Sequence, residues 1–167
     1  MEIFKFGGAS VKDSEGVKNL ATIVHQHAPR PLVVVVSAMG KTTNLLERLC
    51  AAYFRREEGV KAIFDEFRRF HLDIIDALRP AIARDHAEKW FADLERLLDE
   101  DPSLSYDYEY DRLVPFGELL STSIISDYLE AAGAPNRFVD IRRHLITDAS
   151  HRNANVDLDI SGQRCRE

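Results

Sequence analysis

Lys5, Gly7, Gly8 and Ser10 stand almost together near the amino end, directly after the apolar residues Ile3, Phe4 and Phe6. These residue types in this order suit the handling of a phosphate. Glycine lets the backbone approach an anionic oxygen closely, and its N–H groups can point at that oxygen. The N-terminus of a following helix adds a favourable dipole. Lys5 supplies a full positive charge, and at about 4 Å from a phosphate charge, in an effective dielectric of about 20, the attraction is roughly 4 kcal/mol before desolvation. Phosphoryl transfer rests mostly on such charge and positioning. A bare Gly-Gly pair is equally compatible with an ordinary turn. The order is not that of a P-loop, since the lysine comes first, and a third glycine for the dinucleotide fingerprint is missing.

Glu118 is a second candidate. It follows Pro115-Phe116-Gly117 and opens a helical pattern. A carboxylate fixed there could hold an ammonium group, but acids also open helices simply to meet the dipole, for under about 1 kcal/mol. Other reactive types read as structural. His71 lies on an apolar stripe between Phe67 and Ile74 and is expected in the core. His25 and His27 are expected at the surface. His144 and His151 lack partners at metal-ligand spacing, so no metal site is expected. Cys50 sits among leucines and reads as core, with no disulfide to Cys165. Tyr106, Tyr108 and Tyr110 alternate with acids, as in an edge strand or a loop, and Arg142-Arg143 read as solvated.

The elements that position these residues follow from periodicity. Ile3–Phe6 predicts a strand ended by the glycines. Asp13 or Ser14 can cap a helix carrying Val17, Leu20, Ala21 and Val24 at helical spacing, closed by Pro29 and Pro31. The aliphatic run Leu32–Val36 predicts a strand buried on both faces of a parallel sheet. This is a βαβ unit. Asn44 and Glu47 resemble a capping box before Leu45, Leu46, Leu49, Cys50 and Tyr53. Two further stripes, Val60 to Leu78 and Trp90 to Leu98, predict a helical hairpin over about 58–100. Residues 99–111 read as loop, about 118–132 as helix with Gly133 past its end, and 137–141 as a strand. Beyond Thr147 the pattern reads as polar coil.

The chain has 167 residues, 45% of them hydrophobic and 30% charged, which suits one globular domain. A net charge of −6 without a basic face argues against nucleic acid as a partner. No apolar run is long enough to span a membrane, and Met1–Lys5 lacks the pattern of a signal peptide, so the cytoplasm is expected.

Lys5-Phe6-Gly7-Gly8-Ala9-Ser10-Val11 resembles the opening signature of aspartate kinases, in which threonine usually stands at the place of Ala9. Val36-Ser37-Ala38-Met39-Gly40 with Thr43-Asn44-Leu45-Leu46 is similar to the family's second substrate loop and its helix. Phe116-Gly117-Glu118-Leu119-Leu120-Ser121 resembles its Gly-Glu-x-x-Ser segment. Thr147-Asp148 and Ala154-Asn155-Val156-Asp157 are similar to the segment after that.

The resemblance implies an α/β fold, a three-layer α/β/α sandwich around a mostly parallel sheet. It implies transfer of the γ-phosphoryl of ATP, with Mg²⁺, to the side-chain carboxylate of L-aspartate, the step that opens lysine, threonine and methionine synthesis. Carried over by residue, it gives Lys5 the transferring phosphate, Gly7, Gly8 and Ser10 the phosphate oxygens, Ser37 the reaction cleft, and Thr43 and Glu118 the aspartate. It also implies a homo-oligomer in the intact protein. The family's catalytic domain is longer, and its Gly-Arg-Gly-Gly-Ser-Asp segment does not occur in this sequence. Residues 1–167 are therefore expected to be the N-terminal, aspartate-binding part of such a domain. The nucleotide half and regulatory ACT domains would lie outside it, and the part would be inactive alone. The alternative is a non-catalytic regulatory or interaction domain that keeps part of the fold.

Overall fold

The computed structural model describes residues 1–27 and 30–166. Strand β1 (Glu2–Phe6) is followed by a 3₁₀ turn (Gly8–Val11), helix α1 (Ser14–His27) and strand β2 (Leu32–Val36). The strands pair in parallel, with Glu2 opposite Leu32, Lys5 opposite Val35 and Phe6 opposite Val36. The expected βαβ unit is present. Asp13 caps α1 by accepting a hydrogen bond from the Gly16 amide at 2.9 Å. Among the described residues this two-stranded pair is the only sheet.

Helices make the rest: α2 (Thr42–Phe54), α3 (Val60–Leu78), α4 (Asp85–Leu98), α5 (Tyr106–Leu113), α6 (Phe116–Ala131) and α7 (Leu158–Arg164). The two stripes between 58 and 100 are α3 and α4. They meet where Phe67 and Phe91 pack edge to face at 6.3 Å and Arg68 pairs with Glu88 at 2.9 Å. Helix α6 is the spine of the core. Leu119, Leu120, Ile124, Ile125 and Leu129 are all buried, and Gly133 beyond its end takes φ +82°, the left-handed conformation glycine supplies at a helix C-terminus.

Five expectations are corrected. The aliphatic run of β2 is covered on one face only: Val34 and Val36 meet the core, while Val33 and Val35 are 42% and 44% exposed, beside Ile3 at 65%. Residues 137–141 form no strand; they run past α4 instead, with Phe138 against Trp90, and a 3₁₀ turn (Ile141–Arg143) ends the segment. The tyrosine-rich stretch is neither loop nor strand in its second half but helix α5. Ser105 caps it, and Glu109 and Leu113, one turn apart, point inward. The period-two alternation of tyrosines and acids there is coincidental to the helical period that packs. The polar tail holds an antiparallel bridge between Thr147 and Val156 and the helix α7, capped by Asp157. The Asn44–Glu47 capping box does not form. Helix α2 starts at Thr42, and the Glu47 carboxylate accepts from the Tyr110 hydroxyl at 2.7 Å, tying α2 to α5.

His71 and Cys50 are core residues, as expected. The His71 Nδ1–H donates to the Phe67 carbonyl at 2.9 Å, and Nε2 is buried with no partner. Burial pushes the His71 pKa down to about 4. An unfolded histidine titrates near 6.5. Between those values the unfolded chain binds the extra proton, so the stability from keeping His71 neutral is present above about pH 6.5 and is lost as pH falls toward about 4. We expect urea unfolding of the wild type to lose about 3 kcal/mol more between pH 7 and pH 4 than unfolding of His71→Leu. Equal pH dependence in the two proteins contradicts this.

Candidate functional site at the carboxyl ends of the strands

Ligands of open α/β sheets bind outside the carboxyl ends of the strands. Here those ends lead into two loops, Gly7–Ser10 after β1 and Ser37–Gly40 after β2. The loops are laced together: the Ser37 amide donates to the Phe6 carbonyl and the Gly40 amide to the Gly8 carbonyl, each at 3.0 Å. The approach is close enough to require glycine at position 8. A Cβ there would lie 2.7 Å from the Ala38 carbonyl oxygen and 2.8 Å from that of Gly40. Gly7 is different, since a Cβ would meet nothing within 4 Å and its φ is −78°. Gly7 therefore leaves open space beside its backbone, whereas Gly8 fills a contact.

Helix α6 approaches the same loops from behind. Gly117 permits it, because a Cβ there would come within 2.9 Å of the Ala38 Cβ and 3.0 Å of Leu46 Cδ1. Two side chains one turn apart on α6 then hold the two ends of a single peptide unit. The Ser121 hydroxyl donates to the Ser37 carbonyl at 2.8 Å, and Glu118 Oε1 accepts from the Ala38 amide at 3.2 Å. Thr42, at the start of α2, adds a third tie by donating to the Met39 carbonyl at 2.7 Å.

The structure thus brings Gly8, Ser37 and Glu118 into one contiguous arrangement. Ser10 lies in the first loop, its amide donating to the Gly7 carbonyl at 2.9 Å and its side chain exposed. Thr43 stands in the first turn of α2, half-buried, beside the buried Thr42. Lys5 is exposed on the uncovered face of the sheet, opposite Val35, and its ammonium makes no ion pair among the described residues. It therefore sits two residues before the first loop, while its strand partner sits two residues before Ser37. The glutamate side chain is held by the backbone of the second loop rather than standing free.

Sequence reasoning missed Thr42 here, and gave no role to Gly117 and Ser121, the glycine and serine of the Gly-Glu-x-x-Ser segment. It also passed over Lys12, which lies against Gly40 (φ +59°), and Lys41, which follows it. Only the Gly-x-x-x-Ser spacing at Gly117 and Ser121 could have signalled the grip on the loop. A cavity of about 310 Å³ between α2 and α3 reaches Lys41 and Thr42 at the edge of this arrangement, and one of about 330 Å³ between α4 and α6 lies apart from it.

The profile of the amino acid kinase family matches residues 1–163, and the chain belongs to that family. Its relatives there are aspartokinases. It is 31% identical over 145 residues to the bifunctional aspartokinase/homoserine dehydrogenase 2 of Escherichia coli, covering 86% of this chain and 18% of that protein. It is 30% identical over 164 residues to the aspartokinase of Chlamydia trachomatis, covering 95% of this chain and 34% of that one. The crystal structure of E. coli aspartokinase III in complex with aspartate and ADP superposes with a TM-score of 0.86 at 27% identity, over 99% of this chain and 37% of that chain. The chain thus spans about a third or less of the length of these relatives.

The two glycines give a contrast that needs no ligand. Gly7→Ala should leave stability within about 0.5 kcal/mol, whereas Gly8→Ala should cost about 1–3 kcal/mol, because backbone rather than side chain must move. Ser121→Ala should cost about 1–2 kcal/mol for the stranded Ser37 carbonyl. Denaturant melts measure all three. A Gly7→Ala loss as large as that of Gly8→Ala contradicts the assignment.

Proposed function

We propose that this chain is the aspartate-binding part of an aspartate kinase, which phosphorylates the side-chain carboxylate of L-aspartate with ATP. The observation that carries the reading is the Glu118 carboxylate fixed on the Ala38 amide, beside the glycine loop and one strand-end away from Lys5. The relatives' names and the family membership support the same reading.

Each residue has a part in it. Glu118 spends one oxygen on the Ala38 amide, which leaves the other to accept from the substrate's α-ammonium in a fixed direction. Thr43 supplies a hydroxyl to the same amino acid. Gly7 and Gly8 offer backbone N–H groups, and Ser10 its hydroxyl, to the phosphate oxygens. The open space beside Gly7 fits such an approach. Ser37 lines the cleft between the two. The Lys5 ammonium offsets the negative charge that builds on the transferring phosphoryl group. An aspartate carboxylate oxygen attacks the γ-phosphorus, the bond from that phosphorus to the bridging oxygen breaks, and ADP leaves, giving 4-phospho-L-aspartate. Mg²⁺ would arrive with the nucleotide and neutralise its phosphates.

In the intact protein the fold would be a three-layer sandwich, with a further layer over Ile3, Val33 and Val35. Exposed apolar sheet of that kind calls for a cover. Adenine, ribose and the substrate's α-carboxylate would be bound outside residues 1–167, so these residues alone would not turn over. The setting would be cytoplasmic amino-acid biosynthesis, and the intact protein a homo-oligomer.

The test is the natural polypeptide that carries this chain, assayed for ADP release and for acyl phosphate trapped as the hydroxamate. Product should form with L-aspartate. Lys5→Met should lower kcat at least about 100-fold with little change in KM for aspartate. Glu118→Gln should raise that KM about tenfold or more. Turnover with another acidic amino acid and none with aspartate would sink the substrate assignment. Full activity in Lys5→Met would sink the site. Residues 1–167 alone should release no ADP in response to aspartate.

A further inference from the structure

The cavity between α4 and α6 belongs to none of the machinery above. It measures about 330 Å³ and is closed on its third side by the extended segment carrying Phe138. That size is within the range of small-molecule sites. Two of its walls are the rings of Trp90 and Phe138, packed on each other with centroids 6.3 Å apart and planes tilted by 52°. Ser123, only 6% exposed, lies at the floor, with its hydroxyl already committed to the Leu120 carbonyl. Ser126 is likewise held, by Asn136.

The charged groups sit at the mouth. Asp127 Oδ1 accepts from His86 Nδ1 at 2.7 Å, and among the described residues no partner is recorded for Oδ2. The Asp127 side chain is 27% exposed, so it looks partly into the cavity and partly into water. Asp93 is paired with Arg96. Lys89 is exposed on the outer rim. Of the two carboxylates in the lining, Asp127 is the one held by no arginine or lysine among the described residues. Aromatic faces attract cations and repel anions, Trp most strongly. Ring faces and carboxylate therefore select the same charge.

We propose that this cavity is a binding site for a small organic ammonium compound carrying an aromatic or branched apolar body. The body lies in the cavity against the Trp90 and Phe138 rings and the ammonium donates to Asp127 Oδ2. The proposal does not depend on the kinase reading, because it uses α4, the second half of α6 and residues 134–140 alone. It also has a built-in reporter. Trp90 is the only tryptophan in the sequence, so fluorescence excited at its absorption edge reports on this wall.

The experiment titrates the purified chain with 2-phenylethylamine, the neutral isostere 2-phenylethanol and the anion 3-phenylpropionate, read by Trp90 fluorescence and by calorimetry. The amine should bind saturably at about millimolar concentration, the alcohol at least about fivefold more weakly, and the carboxylate not measurably. Asp127→Asn should weaken the amine about tenfold and bring it level with the alcohol. Asp93→Asn, on the rim and already paired, should change it less than about twofold. It also serves as the folded control should Asp127→Asn melt early. Absence of saturable amine binding overturns the proposal. So does carboxylate binding as tight as that of the amine, which would make Lys89 the deciding charge, or an Asp93→Asn loss matching the one expected at Asp127.

Discussion

The arrangement depends on one peptide unit. The Ser37–Ala38 peptide leaves β2 at its carboxyl end, and α6 takes hold of both its polar ends, the carbonyl through Ser121 and the amide through Glu118. A loop beyond a strand has no sheet partner for these groups, and buried backbone polar groups must be paired. Helix α6 provides that pairing with side chains one turn apart. In doing so it fixes where a carboxylate stands relative to the two loops. In Glu118 one oxygen meets this structural need, and the proposed substrate contact would use the other.

Small residues make this possible. Gly8 lets the first loop lie on the carbonyls of the second, and Gly117 lets α6 reach Ala38. Replace either glycine with a larger residue and the three elements separate by some tenths of an ångström, enough to loosen hydrogen bonds of 2.8–3.2 Å. The core then holds α6 in place from the other side, through Leu120, Ile124 and Ile125. Precision at the loops is thus anchored in apolar packing along a helix whose first two turns carry the two gripping side chains.

Much of this was legible in the sequence. The β1–α1–β2 unit, the paired helices α3 and α4, the buried His71 and Cys50, and the helix opening near Glu118 all announce themselves through apolar period and capping residues. Five details did not. The Leu32–Val36 run has the composition of a strand buried on two faces, but the helices of these residues pack on one face only, the one carrying Val34 and Val36. Residues 137–141 have strand-like composition, yet a strand exists only with a partner, and Phe138 found Trp90 instead. Helix α5 was hidden because its tyrosines and acids alternate with a period of two while Glu109 and Leu113 pack with a period of four. Helix α7 and the Thr147–Val156 bridge were hidden in a polar stretch, where capping by Asp157 rather than an apolar stripe sets the helix start. The α2 capping box was a spacing coincidence, its Glu47 drawn to Tyr110. Of the site, the residue types were visible but not the grip, because Ser121 acts through its distance to a carbonyl 84 positions away in sequence.

The grip can be measured at a single amide. Hydrogen exchange of the Ala38 N–H, followed by NMR, reads the Glu118 contact directly. The account predicts an amide protected well beyond its neighbours in the exposed part of the first loop, with protection falling at least about tenfold in Glu118→Ala while the amides of β2 are unchanged. An Ala38 amide that exchanges as fast as that of Ala9 in the wild type, or one indifferent to loss of the carboxylate, would contradict it.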